Sequence, residues 1–267
     1  RYIEIDDDGR LDMAQAAEVI DEDVAIVSVA HVSNTLGTVN PIRDLADLAH
    51  EHGALLMADG AQAVPNRPVD VSALDVDFYA FSGHKMAGPT GIGVLYGRQE
   101  LLEAMEPFLV GGGMIEKVTF EGATWAELPW KFEAGTPPIA EGIGLAEAAD
   151  YLDSIGMEAI QSHEAEITRY AHERLQERDD VEVYGPPPEE DRTGLVSFTL
   201  EDVHPHDLSS ILNEQGIAVR AGDHCTQPLH DTLGIPASTR ASFYLYNTRE
   251  EVDALLDGLD VAKELFA

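Results

Sequence analysis

The amino-acid sequence predicts an α/β fold in its first half and a smaller α+β domain after it. Through the first half, short apolar runs of strand length alternate with amphipathic segments of helical period, which is typical of a largely parallel sheet covered by helices. A proline-rich break at 184–188 interrupts this pattern, and further strands and two helices are predicted beyond it. We therefore predict a large domain over residues 1–145 and a small C-terminal domain over residues 146–267.

The predicted elements of the first half begin with residues 24–32. This uninterrupted apolar run is typical of a strand buried on both faces. Pro41 begins an amphipathic helix, which Gly53 ends. Further elements are predicted as buried strands at 54–58, 78–81 and 93–96 and helices over roughly 140–178, then strands at 195–200, 217–220 and 240–245 and helices at 205–214 and 249–266.

The chain is strongly acidic and has enough apolar residues for a real core. Of its 267 residues 44% are hydrophobic, and 50 acidic residues against 16 basic ones give a net charge of -34. The acidic residues are dispersed over the predicted helices, which indicates a solvated acidic surface rather than a binding tail. Such a surface suits a halophile cytoplasm, where salt screens the self-repulsion, and it argues against binding to nucleic acid or to an anionic membrane.

A single cysteine, Cys225, limits the classes of site that the chain can build. It excludes an intramolecular disulfide framework and a multi-cysteine zinc site, and no metal site is predicted. A lone cysteine fits a reducing compartment, so we predict a cytoplasmic location. No run approaches the ~20 apolar residues of a transmembrane helix.

Lys85 lies in a glycine-rich turn between two predicted strands. A lysine held there is costly unless it is neutralised or used covalently, and Schiff-base chemistry requires such a desolvated amine. Asn34 and Asp59 also follow predicted strands, and ligands of parallel sheets lie outside the carboxyl ends of strands. Together with the remote Cys225 they suggest a pyridoxal 5'-phosphate site, with Lys85 on the aldehyde and Asp59 on the pyridine nitrogen.

Several separated motifs resemble those of the class V aminotransferase family. They are Phe81-Ser-Gly-His-Lys85, Gly88-Pro-Thr-Gly-Ile-Gly93 and Asp59-Gly-Ala-Gln62. Further motifs narrow the resemblance to the SufS-type cysteine desulfurases, close relatives of selenocysteine lyase: His31-Val-Ser-Asn-Thr-Leu-Gly37, Phe132-Glu-Ala-Gly-Thr-Pro137, Arg220-Ala-Gly-Asp-His-Cys225 and Thr239-Arg-Ala-Ser242. The resemblance covers essentially the whole chain and implies the fold type I architecture of pyridoxal-phosphate-dependent transferases.

The resemblance also implies roles toward the cofactor. Lys85 would form the Schiff base, and Asp59 would keep the pyridine nitrogen protonated. The remaining cofactor contacts would be Ser82 and His84 on the phosphate, Gln62 on the phenolic oxygen, and Thr136 on the phosphate bound by a partner subunit. The Gly111-Gly-Gly113 run is either part of the Thr136 loop region or a plain flexible linker.

The substrate side of the site follows from the same resemblance. Arg240 would bind the substrate carboxylate through two parallel hydrogen bonds, assisted by Asn34, and Arg220 matches a second arginine whose role is less defined. Cys225 would be the nucleophile that takes the sulfur of L-cysteine as a persulfide and leaves alanine. Asp223 departs from the His-His-Cys common in bacterial members, and its negative charge disfavours the thiolate. His224 is either an aid to proton movement or a simple loop histidine.

The resemblance implies a cysteine desulfurase that supplies sulfur for iron–sulfur clusters and acts as a homodimer with the site at the interface. The expected partners, a sulfur-acceptor protein and an iron–sulfur scaffold, come from the resemblance alone. L-selenocysteine is an open alternative substrate; another class V transamination or lyase reaction and a non-catalytic fragment or assembly subunit are the competing hypotheses. Members of the family carry a segment ahead of the part that Arg1 matches, with a phosphate-binding loop and a ring-stacking histidine, so we expect this chain to be a fragment.

Overall fold

Two four-stranded sheets, each with its own hydrophobic core, organise the computed structural model, which describes residues 1–266. In the first sheet the spatial order follows the chain order, the first three strands are parallel, and the fourth pairs antiparallel with the third. Its strands are β1 (Ile26–Ala30), β2 (Leu55–Asp59), β3 (Phe78–Ser82) and β4 (Gly93–Gly97).

Four helices accompany this sheet: α1 (Met13–Val19), α2 (Ile42–Glu51), α3 (Val71–Leu74) and α4 (Gln99–Ala104). In α2 the apolar residues recur with helical spacing, so that Ile42, Leu45 and Ala49 are buried together. Gly53 follows with a φ of 76°, a left-handed conformation in which glycine lacks the steric cost of a Cβ. The predicted helix that begins after Pro41 is therefore confirmed.

The prediction that residues 24–32 form a strand buried on both faces is wrong for one face. Val27 is buried in the core with α2, whereas Ile26 on the opposite face is 46% exposed. β1 lies at the edge of the sheet, with β2 as its only neighbouring strand in residues 1–266. Val94 and Leu95 of the other edge strand are exposed as well, although that strand was also expected to be buried.

The middle of the chain contains a short hairpin and two long helices. The hairpin consists of β5 (Ile115–Val118) and β6 (Ala123–Trp125), neither of which the sequence pattern predicts. The helices are α5 (Ile139–Ile155) and α6 (Met157–Gln176), separated at Gly156, and both fall in the predicted helical region. The predicted domain boundary at 145/146 lies within α5 and stays a prediction.

The second sheet is antiparallel throughout and has helices packed against it. Its order is β7-β8-β10-β9, formed by β7 (Val181–Tyr184), β8 (Leu195–Leu200), β9 (Arg220–Gly222) and β10 (Ser238–Ser242). Its helices are α7 (Pro205–Glu214), α8 (Gln227–Leu233) and α9 (Arg249–Phe266). Strands predicted at 217–220 and 240–245 are displaced along the chain, and α8 and β7 were not predicted. None of the helices in residues 1–266 is long and apolar enough to cross a membrane.

Candidate active site

The carboxyl ends of the parallel strands bring three predicted site residues to one edge of the first sheet. Ala30, Asp59 and Ala80 are in register across β1, β2 and β3. Asp59 is therefore at the end of its strand, Lys85 lies five residues past Ala80, and Asn34 lies four residues past Ala30. This edge is where ligands of open α/β sheets bind.

Asp59 is held by its own turn, and its second carboxylate oxygen, Oδ2, has no hydrogen-bond partner in residues 1–266. Its Oδ1 accepts a hydrogen bond from Ala61 N at 2.8 Å. A Cβ on Gly60 would lie 2.0 Å from the ring of Tyr79, so the turn requires glycine. Tyr79 in turn shares a 2.7 Å hydrogen bond with buried His31.

The His31–Tyr79 pair was missed by sequence reasoning, because nothing in its spacing sets it apart from core residues. Burial first, and Asp59 second, raises the pKa of Tyr79. Burial, followed by the charge of Arg67, lowers the pKa of His31 to about 4. Both groups are thus neutral near pH 7, and they form an uncharged hydrogen-bonded pair next to the Asp59 turn.

The lysine turn is compact because two glycines let its backbone close. Gly83 N donates to Ile92 O at 2.9 Å, and Gly88 N donates to Gly83 O at 3.0 Å. A Cβ on Gly88 would lie 2.8 Å from Gly83 O. Lys85 ends a short 3-10 turn that follows β3 and is half-buried. No carboxylate in residues 1–266 lies within 4.0 Å of its amine.

The chemistry of this group of side chains fits pyridoxal phosphate. A primary amine, a carboxylate with a free oxygen, and hydroxyl and imidazole donors correspond to an aldehyde, a protonated ring nitrogen and a phosphate. Those donors are half-buried Ser82 and exposed His84, which flank the turn glycine before Lys85. Half-buried Gln62 follows the Asp59 turn.

Thr136 lies apart from this group, on an exposed loop before α5. Gly135 N donates to Gly112 O at 2.8 Å, so the glycine run 111–113 packs on the same loop. Within residues 1–266, no hydrogen bond joins Thr136 to the side chains at the sheet edge.

The remaining three predicted residues, Arg220, Cys225 and Arg240, meet Asn34 in a second group beside the small sheet. Arg240 of β10 stands directly opposite Arg220 of β9. Arg240 Nη1 donates to Asn34 O at 2.7 Å, and Arg220 Nη2 lies 3.7 Å from Cys225 Sγ. Asn34 Nδ2 also donates to the carbonyl oxygen of His224, at 2.8 Å.

The two facing guanidinium groups have no carboxylate partner among residues 1–266. Apart from buried Arg192, every other arginine there forms an ion pair. Burial, and next the charge of Arg220, lowers the pKa of Arg240. Like charges directly opposite each other on neighbouring strands are unfavourable. Although the chain has 50 acidic residues, none of those in residues 1–266 forms an ion pair with these two arginines. The pair is suited to bind a carboxylate ligand through parallel hydrogen bonds.

Cys225 lies on an exposed loop, as its polar flanks predict, and the backbone of this loop is strained. His224 and Cys225 both have positive φ, 52° and 65°. The Asp223 carboxylate accepts a hydrogen bond from Cys225 N at 2.9 Å, so it stabilises the loop conformation, a role that sequence reasoning missed. His224 is buried rather than a simple exposed loop histidine.

Residues 1–255 match the model of the aminotransferase class-V family. The chain belongs to the class V aminotransferase family. Among family proteins, a cysteine desulfurase of Haloferax volcanii is 67% identical over all 267 residues, which cover 62% of its length. A probable cysteine desulfurase of Halobacterium salinarum is 64% identical, with 64% of its length covered. The chain thus spans a little under two thirds of these curated relatives.

Solved structures agree with the family assignment. The apo structure of a cysteine desulfurase from Thermococcus onnurineus NA1 matches with a TM-score of 0.93 and 42% identity, covering the whole chain and 66% of that protein. The cysteine desulfurase CsdA (S-sulfonic acid) from Escherichia coli matches with a TM-score of 0.91 and 42% identity, covering 96% of this chain and 63% of that one. The predicted family and fold class are confirmed.

Proposed function

We propose that the protein containing this chain is a pyridoxal-phosphate-dependent cysteine desulfurase. It removes sulfur from L-cysteine, yields alanine, and carries the sulfur as a persulfide on Cys225. The observation that carries this proposal is the Arg220–Arg240 pair, two guanidinium groups that have no carboxylate partner in residues 1–266 and lie beside the single cysteine. A carboxylate site next to a soft nucleophile is what sulfur removal from an amino acid requires.

Arg240 binds the substrate carboxylate and so fixes the orientation of the amino acid. Its Nη1 is already held by Asn34 O, and its Nε lies 3.1 Å from Ser242 Oγ, so the guanidinium plane is set before the substrate arrives. Preorganisation of this kind reduces the entropy lost on binding. Asn34 tethers the same group of residues to the Cys225 loop through its hydrogen bond to His224 O.

Lys85, Asp59, Gln62, Ser82 and His84 would hold pyridoxal phosphate, and Thr136 would reach the phosphate of a second subunit. When bound, the cofactor supplies an aldehyde for the substrate amine and an electron-withdrawing ring. Asp59 keeps a proton on the ring nitrogen, and Lys85 provides the amine for covalent attachment and for moving protons at the substrate carbon.

Cys225 carries out the sulfur-transfer step. Its thiolate attacks the substrate sulfur, so that a sulfur–sulfur bond forms and the carbon–sulfur bond breaks. The electron pair stays on the carbon, which takes up a proton to become alanine. Arg220 lies 3.7 Å from the sulfur, and a neighbouring guanidinium favours the thiolate, which opposes the effect of the Asp223 charge.

A homodimer is part of the proposal, and the surface around the Thr136 loop supports it. Large apolar side chains near that loop are exposed on and beside the β5–β6 hairpin: Phe108, Leu109, Val110, Val118, Phe120 and Trp130. Exposed apolar patches of this kind mark interaction sites. We further propose a SufS-type role in the cytoplasm of a halophile, with a sulfur-acceptor protein and an iron–sulfur scaffold as partners.

The test uses the full-length protein in high salt with pyridoxal phosphate. We expect a yellow absorption band, and sulfide and alanine release from L-cysteine. Cys225→Ala should keep the band and lose sulfide release, and Lys85→Ala should lose the band. The control Lys263→Ala, in α9 outside both groups of site residues, should behave as wild type. A yellow Cys225→Ala variant with full activity would indicate another class V reaction. A wild-type protein with no band would support the non-catalytic hypothesis.

Selenocysteine lyase activity is the second candidate function. The same carboxylate anchor and the same soft nucleophile suit L-selenocysteine, whose chemistry differs only in the leaving atom. Parallel assays with both amino acids decide the preference through the ratio of the two kcat/KM values.

A further inference from the structure

The loop that carries Cys225 is under backbone strain. Two consecutive residues other than glycine, His224 and Cys225, adopt left-handed φ angles. Such a conformation is sterically unfavourable for a residue with a Cβ, and it persists only when its surroundings hold it. The groups that hold this loop therefore decide where the sulfur of Cys225 lies.

Hydrogen bonds from three sides hold the loop. Asp223 accepts from Cys225 N, and Asn34 donates to the carbonyl oxygen of His224. The hydroxyls of Thr226 and Thr35 are 3.0 Å apart, which ties the end of the loop to the segment after β1.

A buried chain of side chains lies beneath the loop. His224 Nε2 is 3.0 Å from Ser238 Oγ, and His230 Nε2 is 3.0 Å from the same oxygen. His224, Ser238 and His230 are 1%, 1% and 2% exposed. One hydroxyl on β10 thus joins the residue before the nucleophile to a histidine on α8.

The directions of these hydrogen bonds follow from which atoms can donate. The Thr226 hydroxyl donates to Asp223 O at 2.8 Å, and the carbonyl oxygen of Thr226 has no proton. His230 Nδ1 faces these two Thr226 oxygens at 3.4 and 3.2 Å, so Nδ1 carries the proton. In the neutral ring, His230 Nε2 then accepts the Ser238 proton. Ser238 Oγ in turn accepts from His224 Nε2–H.

We propose that Ser238 and His230 position the Cys225 loop. They act through His224, which they anchor beneath the loop as the Nε2–H tautomer with an unprotonated Nδ1. That Nδ1 is buried and has no hydrogen-bond partner in residues 1–266. Burial, followed by the charge of Arg240, lowers the pKa of His224 to about 4, which agrees with a neutral ring.

The consequence for sulfur transfer rests on the proposed function. With the loop in place, the Cys225 sulfur keeps its contact with the Arg220 guanidinium, which places a positive charge beside the attacking sulfur. Without the Ser238 hydroxyl, His224 Nε2–H loses its acceptor inside a buried site, and the strained conformation loses one of its anchors.

The first test reads the tautomers directly in the wild-type protein. Two-bond 1H–15N correlations of 15N-histidine-labelled protein distinguish protonated from unprotonated ring nitrogens, with His224→Gln and His230→Gln spectra used for assignment. We expect the proton on Nε2 in His224 and on Nδ1 in His230. Finding the His224 proton on Nδ1 would overturn the proposal, whatever the variants do.

The second test uses the fact that Cys225 is the only cysteine. Iodoacetamide alkylation, followed by intact-mass spectrometry from pH 6 to 10, reports on this thiol without substrate or cofactor. We expect Ser238→Ala to lower the rate at pH 7.5 by about 3–10-fold, Ser238→Thr to restore it, and the control Ser209→Ala to leave it unchanged. Equal rates in wild type and Ser238→Ala, or an equal loss in the alanine and threonine variants, would contradict the proposal.

Sulfide release from L-cysteine is measured alongside. Absent activity in wild type with the predicted tautomers and alkylation rates would remove the proposed function and leave the positioning network intact. Normal activity in wild type with the opposite tautomers would support the proposed function and overturn the positioning network.

Discussion

Replacing Glu164 by glutamine should reduce the loss of folding stability that the protein undergoes at alkaline pH. Glu164 is buried in α6, and in residues 1–266 its carboxylate oxygens make no well-formed hydrogen bond, only a weak interaction with the backbone N–H of Gly194. Thr168 and His172 follow on the same helical face, and Arg192 faces them. In residues 1–266, eight buried side-chain nitrogen or oxygen atoms have no well-formed hydrogen bond, and six of them belong to these four residues.

The size of the effect follows from the proton affinity of the carboxyl group. Burial raises the pKa of Glu164 from 4.5 to about 8. The folded chain therefore binds this proton more tightly than the unfolded chain, and stability falls as the pH rises from 4.5 to about 8. One pKa unit corresponds to about 1.4 kcal/mol, so the loss is at most about 5 kcal/mol.

His172 acts at the other end of the pH range. Burial, and then the charge of Arg192, lowers its pKa to about 4. Stability linked to His172 is therefore lost as the pH falls from 6.5 toward 4, and Glu164→Gln leaves that loss unchanged.

Urea unfolding at constant high salt, followed by circular dichroism at pH 5, 7 and 9, measures the difference. We expect Glu164→Gln to be within about 1 kcal/mol of wild type at pH 5 and more stable by about 3–5 kcal/mol at pH 9. The exposed residue Glu158 in the same helix provides the control Glu158→Gln, which should follow wild type. If the free energies of unfolding of wild type and Glu164→Gln change with pH in the same way from pH 5 to 9, the reasoning is refuted.

Variants at three further positions test the two groups of site residues. Arg240→Lys should raise the KM for L-cysteine about 10–100-fold in steady-state assays, because lysine cannot make two parallel hydrogen bonds; an unchanged KM would argue against the carboxylate site. Asp223→Asn keeps an oxygen that accepts the hydrogen bond from Cys225 N, so the rate of Cys225 alkylation should stay within about twofold of wild type. Asp223→Ala removes that oxygen and should slow alkylation about 3–10-fold. A faster reaction in both variants would instead indicate that the negative charge of Asp223 suppresses the thiolate. Gly60→Ala should cost about 1–3 kcal/mol in urea unfolding, because the new Cβ meets the Tyr79 ring, while Gly142→Ala in open space should cost nothing; equal stabilities would contradict the contact.

Local patterns predicted most of the fold. Apolar runs and helical spacing identified β1 to β4, α2 and the long helices, because strand and helix periodicity depends only on residues close together in the sequence. Two-sided burial of residues 24–32 was mispredicted, since the position of a strand within a sheet depends on partners far along the chain. The β5–β6 hairpin and α8 were missed, because their segments are short and carry little periodicity.

The sequence by itself determined which side chains are candidates for the chemistry: the amine of Lys85, the carboxylate of Asp59 and the thiol of Cys225, each in a polar turn or loop. Only the tertiary structure decided that Arg240 meets Asn34, 206 residues away, and that it faces Arg220 across two strands. It also decided that Ser238 joins His224 to His230 beneath the Cys225 loop. The physical reason is that residue type and turn chemistry are local, whereas burial, strand register and hydrogen-bond partners exist only once distant segments pack together.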